Sequence, residues 1–138
     1  MRKIDEIIIH CTATKVQQKV TVAIIDRWHR QRGFKSIGYH YFIDIEGKVY
    51  EGRPLTSAGA HCKGHNSRSI GIAIAGGIGE NGKPQDTRNE AQNAALIDLL
   101  KELKEQFPEA TIHGHREFAA KACPSFDVQQ WLSDNNLT

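Results

Sequence analysis

Two uninterrupted apolar runs restrict the fold more than any other feature of this chain. Ile4–His10 is dense in β-branched isoleucine, and Ser69–Ala75 reads SIGIAIA. A strand with one face in water alternates apolar and polar side chains; neither run does, so both strands belong to a sheet covered on its two faces. The covering elements are legible. Thr21 caps a helix over Thr21–Arg32 in which Ile24, Ile25 and Trp28 share a face and which Gly33 stops. Thr87 and Glu90 match a capping box that opens a second helix through Ala91, Ala94, Ala95, Leu99 and Leu103, ended by Pro108. Asp127 to Ser133 forms a third, with Val128, Trp131 and Leu132 inward.

Tyr39–Ile45 and Lys48–Glu51, joined at Glu46-Gly47, read as a β-hairpin, and Thr111–His115 as a short strand. The order β-α-β-β-β-α-β-α predicts a mixed α/β fold, a central mixed β-sheet flanked by about three helices. With 138 residues and neither repeat nor linker, residues 1–138 are expected to form a single domain. A chain of this size buries roughly 68–70% of its unfolded surface and needs no staples.

Lys and Arg number 18 against 16 Asp and Glu, a formal +2, and no basic–aromatic interleaving accompanies the two Trp and three Tyr. Binding to nucleic acid is therefore not expected. Three cysteines, Cys11, Cys62 and Cys123, are an odd count. They point to a reducing compartment or to a thiol with a chemical task. In MRKIDEIIIH, Asp5 and Glu6 interrupt the basic start and the apolar run that follows is short, so no signal peptide and no membrane span are read.

Gly77, Gly79 and Gly82 satisfy G-x-G-x-x-G after a predicted strand, but Pro84 and Asp86 precede the next helix. The glycines thus do not open a helix N-terminus toward a pyrophosphate, and a glycine-rich surface loop is the better reading.

The histidines carry more. His10 ends an apolar strand, at the carboxyl edge of a sheet where sites of α/β folds open. His113 and His115 alternate along the predicted last strand, which puts both on one face. Cys123 follows His115 after a stretch long enough to fold back. Two imidazoles and one thiolate make a tetrahedral zinc site with one corner left for water, and such borderline-soft donors favour zinc over magnesium or calcium. Spacing alone does not say whether His113 or His115 takes part.

Four blocks in order, IIIHCTAT, IGYHYFI, AHCKGHNSRSIGIAIAGG and GHREFAAKACPSFD, resemble one family over residues 4–132. It is the zinc-dependent N-acetylmuramoyl-L-alanine amidases of the peptidoglycan-recognition-protein superfamily, in particular the phage enzymes called lysozymes although they cut an amide. The resemblance implies that His10, His115 and Cys123 hold one Zn²⁺, that Tyr39 and Lys121 are catalytic, and that His61 lines the substrate cleft. Cys62 stands where alanine is frequent. The implied partner is peptidoglycan, the implied reaction hydrolysis of the amide between N-acetylmuramic acid and L-alanine. A monomer is expected, cytoplasmic until released to act on the cell wall.

Tyr39 is the leading candidate to protonate the departing amine, and either Lys121 or Tyr39 to stabilise the oxyanion. Glu117 is expected to pair with an arginine at the surface rather than to orient His115. His29 and His40 are expected to be packing or surface residues, and His65 a loop residue near the glycan. Leu55–Ser67 and the loop after Ala75 are expected to wall a groove. Three rival readings remain: a non-catalytic binding module of this fold, a thiol hydrolase built on Cys123 with a histidine base, and a purely structural zinc closed by a fourth ligand.

Overall fold

A computed structural model describes residues 1–137, so the last position of the domain expected over 1–138 lies outside the described residues. The two apolar runs form β1 (Glu6–Cys11) and β5 (Ser69–Ile74), paired in parallel with Ile7 opposite Ile70 and His10 opposite Ala73. On the other side of β1 runs β7 (Thr111–Gly114), also parallel, with Ile9 opposite Gly114. β3 (Tyr41–Ile43) lies parallel to β5, and β4 (Val49–Glu51) closes the edge antiparallel to β3. The sheet order is β4-β3-β5-β1-β7, mixed as expected.

Ile7, Ile8, Ile9, Ile70 and Ile72 are wholly buried. Each such burial contributes about 1.5–3 kcal/mol, which is why these strands take the centre and tolerate no polar face. Helices cover both sides. Ile7, Ile9, Ile70, Ile72 and Ile74 pack with α2 (Glu90–Gln106) and α3 (Val128–Asp134). Phe42, Ala73 and Ala75 pack with Ile25 of α1 (Val22–Gln31), capped by Thr21, whose Oγ1 accepts the Ile24 N–H. His10, the register partner of Ala73, faces the α1 side.

Four expectations need correction. The capping box of α2 belongs to Asn89 and Gln92, not to Thr87 and Glu90: Asn89 Oδ1 accepts the Gln92 N–H at 2.8 Å, and Gln92 Oε1 accepts the Asn89 N–H at 3.1 Å. Thr87 is engaged elsewhere, accepting the Gly77 N–H at 2.9 Å. The buried face of α2 is accordingly Gln92, Leu96, Leu99, Leu100 and Leu103, with Ala91 and Ala94 exposed. Gly77–Ile78 is not loop but a two-residue strand, β6, parallel to β2 (Thr14–Lys15). Finally, the last strand stops at Gly114, and His115–Glu117 is a 3₁₀ turn.

Gln92 deserves a measurement. Wholly buried, its Nε2 donates to the carbonyls of Ala75 (2.9 Å) and Asp44 (3.2 Å), tying α2 to the ends of β5 and β3. Gln92→Ala strands those carbonyls and half the cap, and is expected to cost about 2–3 kcal/mol, read as a lower urea midpoint.

Candidate metal centre

Because β1 and β7 run parallel with Ile9 opposite Gly114, the residues that come next, His10 within β1 and His115 just past the end of β7, emerge side by side at the carboxyl edge. The 3₁₀ turn starting at His115 sets its ring 4.4 Å from that of His10, centroid to centroid. His113 does not join them. The extended backbone that would put both on one face ends at Gly114, and His113 instead contacts Glu117 Oε1 at 2.9 Å and the Phe118 ring at 4.9 Å.

Cys123 is brought back by the backbone. The Arg116 N–H donates to the Cys123 carbonyl at 2.8 Å, and the Cys11 N–H donates to Cys123 Sγ at 3.2 Å. As a result one donor atom from each of His10, His115 and Cys123 lies within 4.8 Å of the others, the one such group of three among the described residues.

Both imidazoles are held below their ordinary range, His10 strongly and His115 less so. Burial is the main cause, followed for His10 by the neighbouring His61 and His115 and for His115 by Lys121. Neutral imidazoles keep a lone pair to give. As a thiol, Cys123 is pushed up by its hydrogen bond to Cys11 and then by burial; a cation on Sγ reverses that preference, because thiolate is the ligand form. Two neutral nitrogens and a sulfur steadied by a backbone N–H are the donor set that suits zinc.

The N-acetylmuramoyl-L-alanine amidase family model (Amidase_2) matches residues 1–126, nearly the whole chain. The chain belongs to that family. The endolysin of Klebsiella phage KP32 is 42% identical over 133 residues, 96% of this chain and 88% of the phage protein. The endolysin of Escherichia phage T7 is 41% identical over the same shares. Among solved structures, the N-acetylmuramoyl-L-alanine amidase LysC from Clostridium intestinale superposes with a TM-score of 0.86 at 29% identity, covering 99% of this chain and 88% of that one. The activity is that of an N-acetylmuramoyl-L-alanine amidase acting on peptidoglycan.

In this amidase His10, Tyr39, His61, His115, Lys121 and Cys123 all line one cleft of about 730 Å³. Tyr39 is half-buried just before β3, its ring 5.1 Å from that of His10 and 5.3 Å from that of His29. Its phenol is pushed well above the ordinary range, by burial and then by the Cys123 and Cys11 sulfurs, so it keeps its proton. Lys121 is exposed at the cleft mouth.

Other expectations meet mixed outcomes. His40 is a packing residue, accepting the Gly71 N–H on Nδ1 at 3.0 Å while Nε2 reaches the Ser57 carbonyl at 2.8 Å; burial lowers it to about 4. His29 likewise accepts the Gly38 N–H on Nδ1 at 2.8 Å. Glu117 pairs with His113 and accepts the Gly114 N–H, so it neither meets an arginine nor orients His115. His65 is bound to Glu6 at 2.8 Å and stacks on Phe118 at 4.0 Å. Ala60–Gly64 and Asn66 wall the cleft as expected of Leu55–Ser67, but the opposite wall comes from Thr12, Ala13, Arg32 and Phe34 rather than from the loop after Ala75. Arg32 and Phe34 are cleft residues that the sequence does not reveal, because nothing in their local pattern marks the helix end as a wall. Among the described residues no helix is long and apolar enough to cross a membrane.

Proposed function

We propose that this amidase is zinc-dependent, with His10, His115 and Cys123 as the ligands and Tyr39 and Lys121 as the catalytic residues. The observation that carries the reading is the convergence of three donor atoms within 4.8 Å at the floor of the cleft, without a fourth histidine, cysteine or acid in the group among the described residues. A purely structural zinc needs that fourth ligand.

A zinc ion held by His10, His115 and Cys123 would supply Lewis-acid chemistry, activating water near neutral pH and polarising the amide carbonyl. The protein's own groups supply the rest. Tyr39, which retains its proton, offers an O–H beside His10 to the oxyanion or to the departing L-alanine amine. The Lys121 ammonium adds positive charge where the oxyanion forms. His61 fills the wall behind His10. A thiol mechanism is less well supported: among the described residues no histidine is hydrogen-bonded to Cys123 Sγ, whose partners are the backbone N–H and carbonyl of Cys11. The physiological role we propose is lysis of the cell wall by a monomer released from the cytoplasm; its phage relatives are named endolysins, which supports the lytic part of that role.

Incubation with purified sacculi tests this directly. New amino groups are expected without new reducing sugars, with activity abolished by a chelator and restored by Zn²⁺. Reducing ends would mean a glycosidase, neither product a binding module, and chelator-resistant release of amines a thiol hydrolase.

A further inference from the structure

His61 makes contacts that lining a cleft does not require. Its Nδ1 lies 2.8 Å from His10 Nε2, and its Nε2 lies 3.2 Å from Ser69 Oγ. The ring is edge-on to that of His10, with centroids 4.9 Å apart. Room for it has been cleared at two points. A Cβ on Gly71, in the middle of β5, would sit 2.6 Å from the His61 ring, and one on Gly59 would sit 2.6 Å from His61 Cδ2. Asn66 Oδ1 fixes the backbone beneath it by accepting the N–H groups of both His61 (2.9 Å) and Cys62 (2.9 Å).

We infer that His61 is a positioning residue for the metal centre: it holds His10 in the tautomer and ring orientation that leave Nδ1, not Nε2, for zinc. The inference rests on the proposed zinc site. An imidazole presents two nitrogens, and the one in a hydrogen bond decides which remains for a cation. His10 Nε2 is taken by His61. For His10 Nδ1 to carry a lone pair, Nε2 must carry the hydrogen and donate it to His61 Nδ1. His61 then has its own hydrogen on Nε2, where Ser69 Oγ accepts it. The chain Ser69–His61–His10 thereby sets one tautomer at every step. Ser69 is itself wholly buried on β5, so the chain is anchored in the sheet. Partners of this kind both orient a ligand and raise its basicity, and their loss typically costs about 10–100-fold in metal affinity.

The test measures zinc affinity by chelator competition for wild type, His61→Ala and His61→Gln. Long-range ¹H–¹⁵N spectra of the zinc-loaded wild type, taken alongside, identify the bound nitrogen. The inference expects His10 to be bound through Nδ1 with hydrogen on Nε2. His61→Ala is expected to weaken zinc by about 10–100-fold, while His61→Gln, whose amide can accept from His10 and donate to Ser69, restores most of the loss. Coordination through His10 Nε2, or wild-type affinity in His61→Ala, overturns it; the spectrum of the wild type decides even if the alanine variant fails to fold. Absence of stoichiometric zinc from the wild type would instead overturn the zinc reading beneath it, and so is distinguishable.

Discussion

Cys123→Ser is expected to lose zinc and turnover together, with activity falling about a thousandfold or more. Serine keeps the shape of the side chain but not its chemistry. Its hydroxyl stays protonated at neutral pH where thiolate is the ligand, and the Cys11 N–H that steadies Sγ at 3.2 Å has no anion to serve. Removing a Lewis acid costs several kcal/mol of transition-state stabilisation, and each 1.4 kcal/mol is about tenfold in rate. Tyr39→Phe makes the contrast. The ring and its contacts with His10 and His29 remain, so zinc should stay at one per chain. Turnover should still drop by about 10²–10⁴-fold, the usual worth of a positioned proton donor. Metal analysis beside the sacculus assay reads both. Equal zinc loss in the two variants would falsify the division of roles, and full activity in Tyr39→Phe would remove Tyr39 from the chemistry.

What the sequence revealed, and what it hid, follows from the range of the interactions. Buried parallel strands are legible because burial on two faces demands a continuous apolar run, and Ile4–His10 and Ser69–Ala75 could be little else. The helix over Thr21–Arg32 is legible because its cap and the inward Ile25 and Trp28 are local, although His29 rather than the expected Ile24 completes the buried face. The start of α2 is a different case: Thr87 satisfies the local capping pattern, yet a contact across ten residues, to the Gly77 N–H, claims its hydroxyl, and the cap passes to Asn89. Periodicity misplaced His115 beside His113 for a similar reason. Alternation holds only while the chain stays extended, and the Arg116 N–H to Cys123 carbonyl bond belongs to a turn that ends the strand one residue early. The link from His61 to His10 spans 51 residues and leaves no local trace at all. The resemblance to the amidases implies one shared ion for His10, His115 and Cys123 and a cleft position for His61, but says nothing of the contact between His61 and His10.

Acid should destabilise the metal-free protein well before its carboxylates begin to protonate. Five imidazoles, those of His10, His29, His40, His61 and His115, are held below their ordinary range, in each case chiefly by burial. In the unfolded chain a histidine takes up its proton near pH 6.5. In the fold His40 waits until about pH 4 and His61 until about 3. Between these limits the unfolded state binds more protons, so stability is complete above about pH 6.5 and is lost as pH falls, by up to about 1.4 kcal/mol per unit for each such histidine. His40 and His61 alone give about 2–3 kcal/mol per unit, and over two units that is comparable to the roughly 5–15 kcal/mol that holds a domain together. Glu6 and Glu117, lowered from the ordinary carboxylate range despite opposing burial by their hydrogen bonds to His65 and Arg68 and to Gly114 and His113, act in the same direction but only below about pH 4.5. Urea midpoints measured with chelator present are therefore expected to start falling at about pH 6.5 rather than 4.5, and a flat midpoint down to pH 4.5 would show that the buried imidazoles gain solvent or protons without unfolding. Zinc-loaded protein should fall more steeply over the same interval, because protons compete with the metal for His10 and His115. The difference between the two curves isolates the contribution of the ion from that of the fold that presents its ligands.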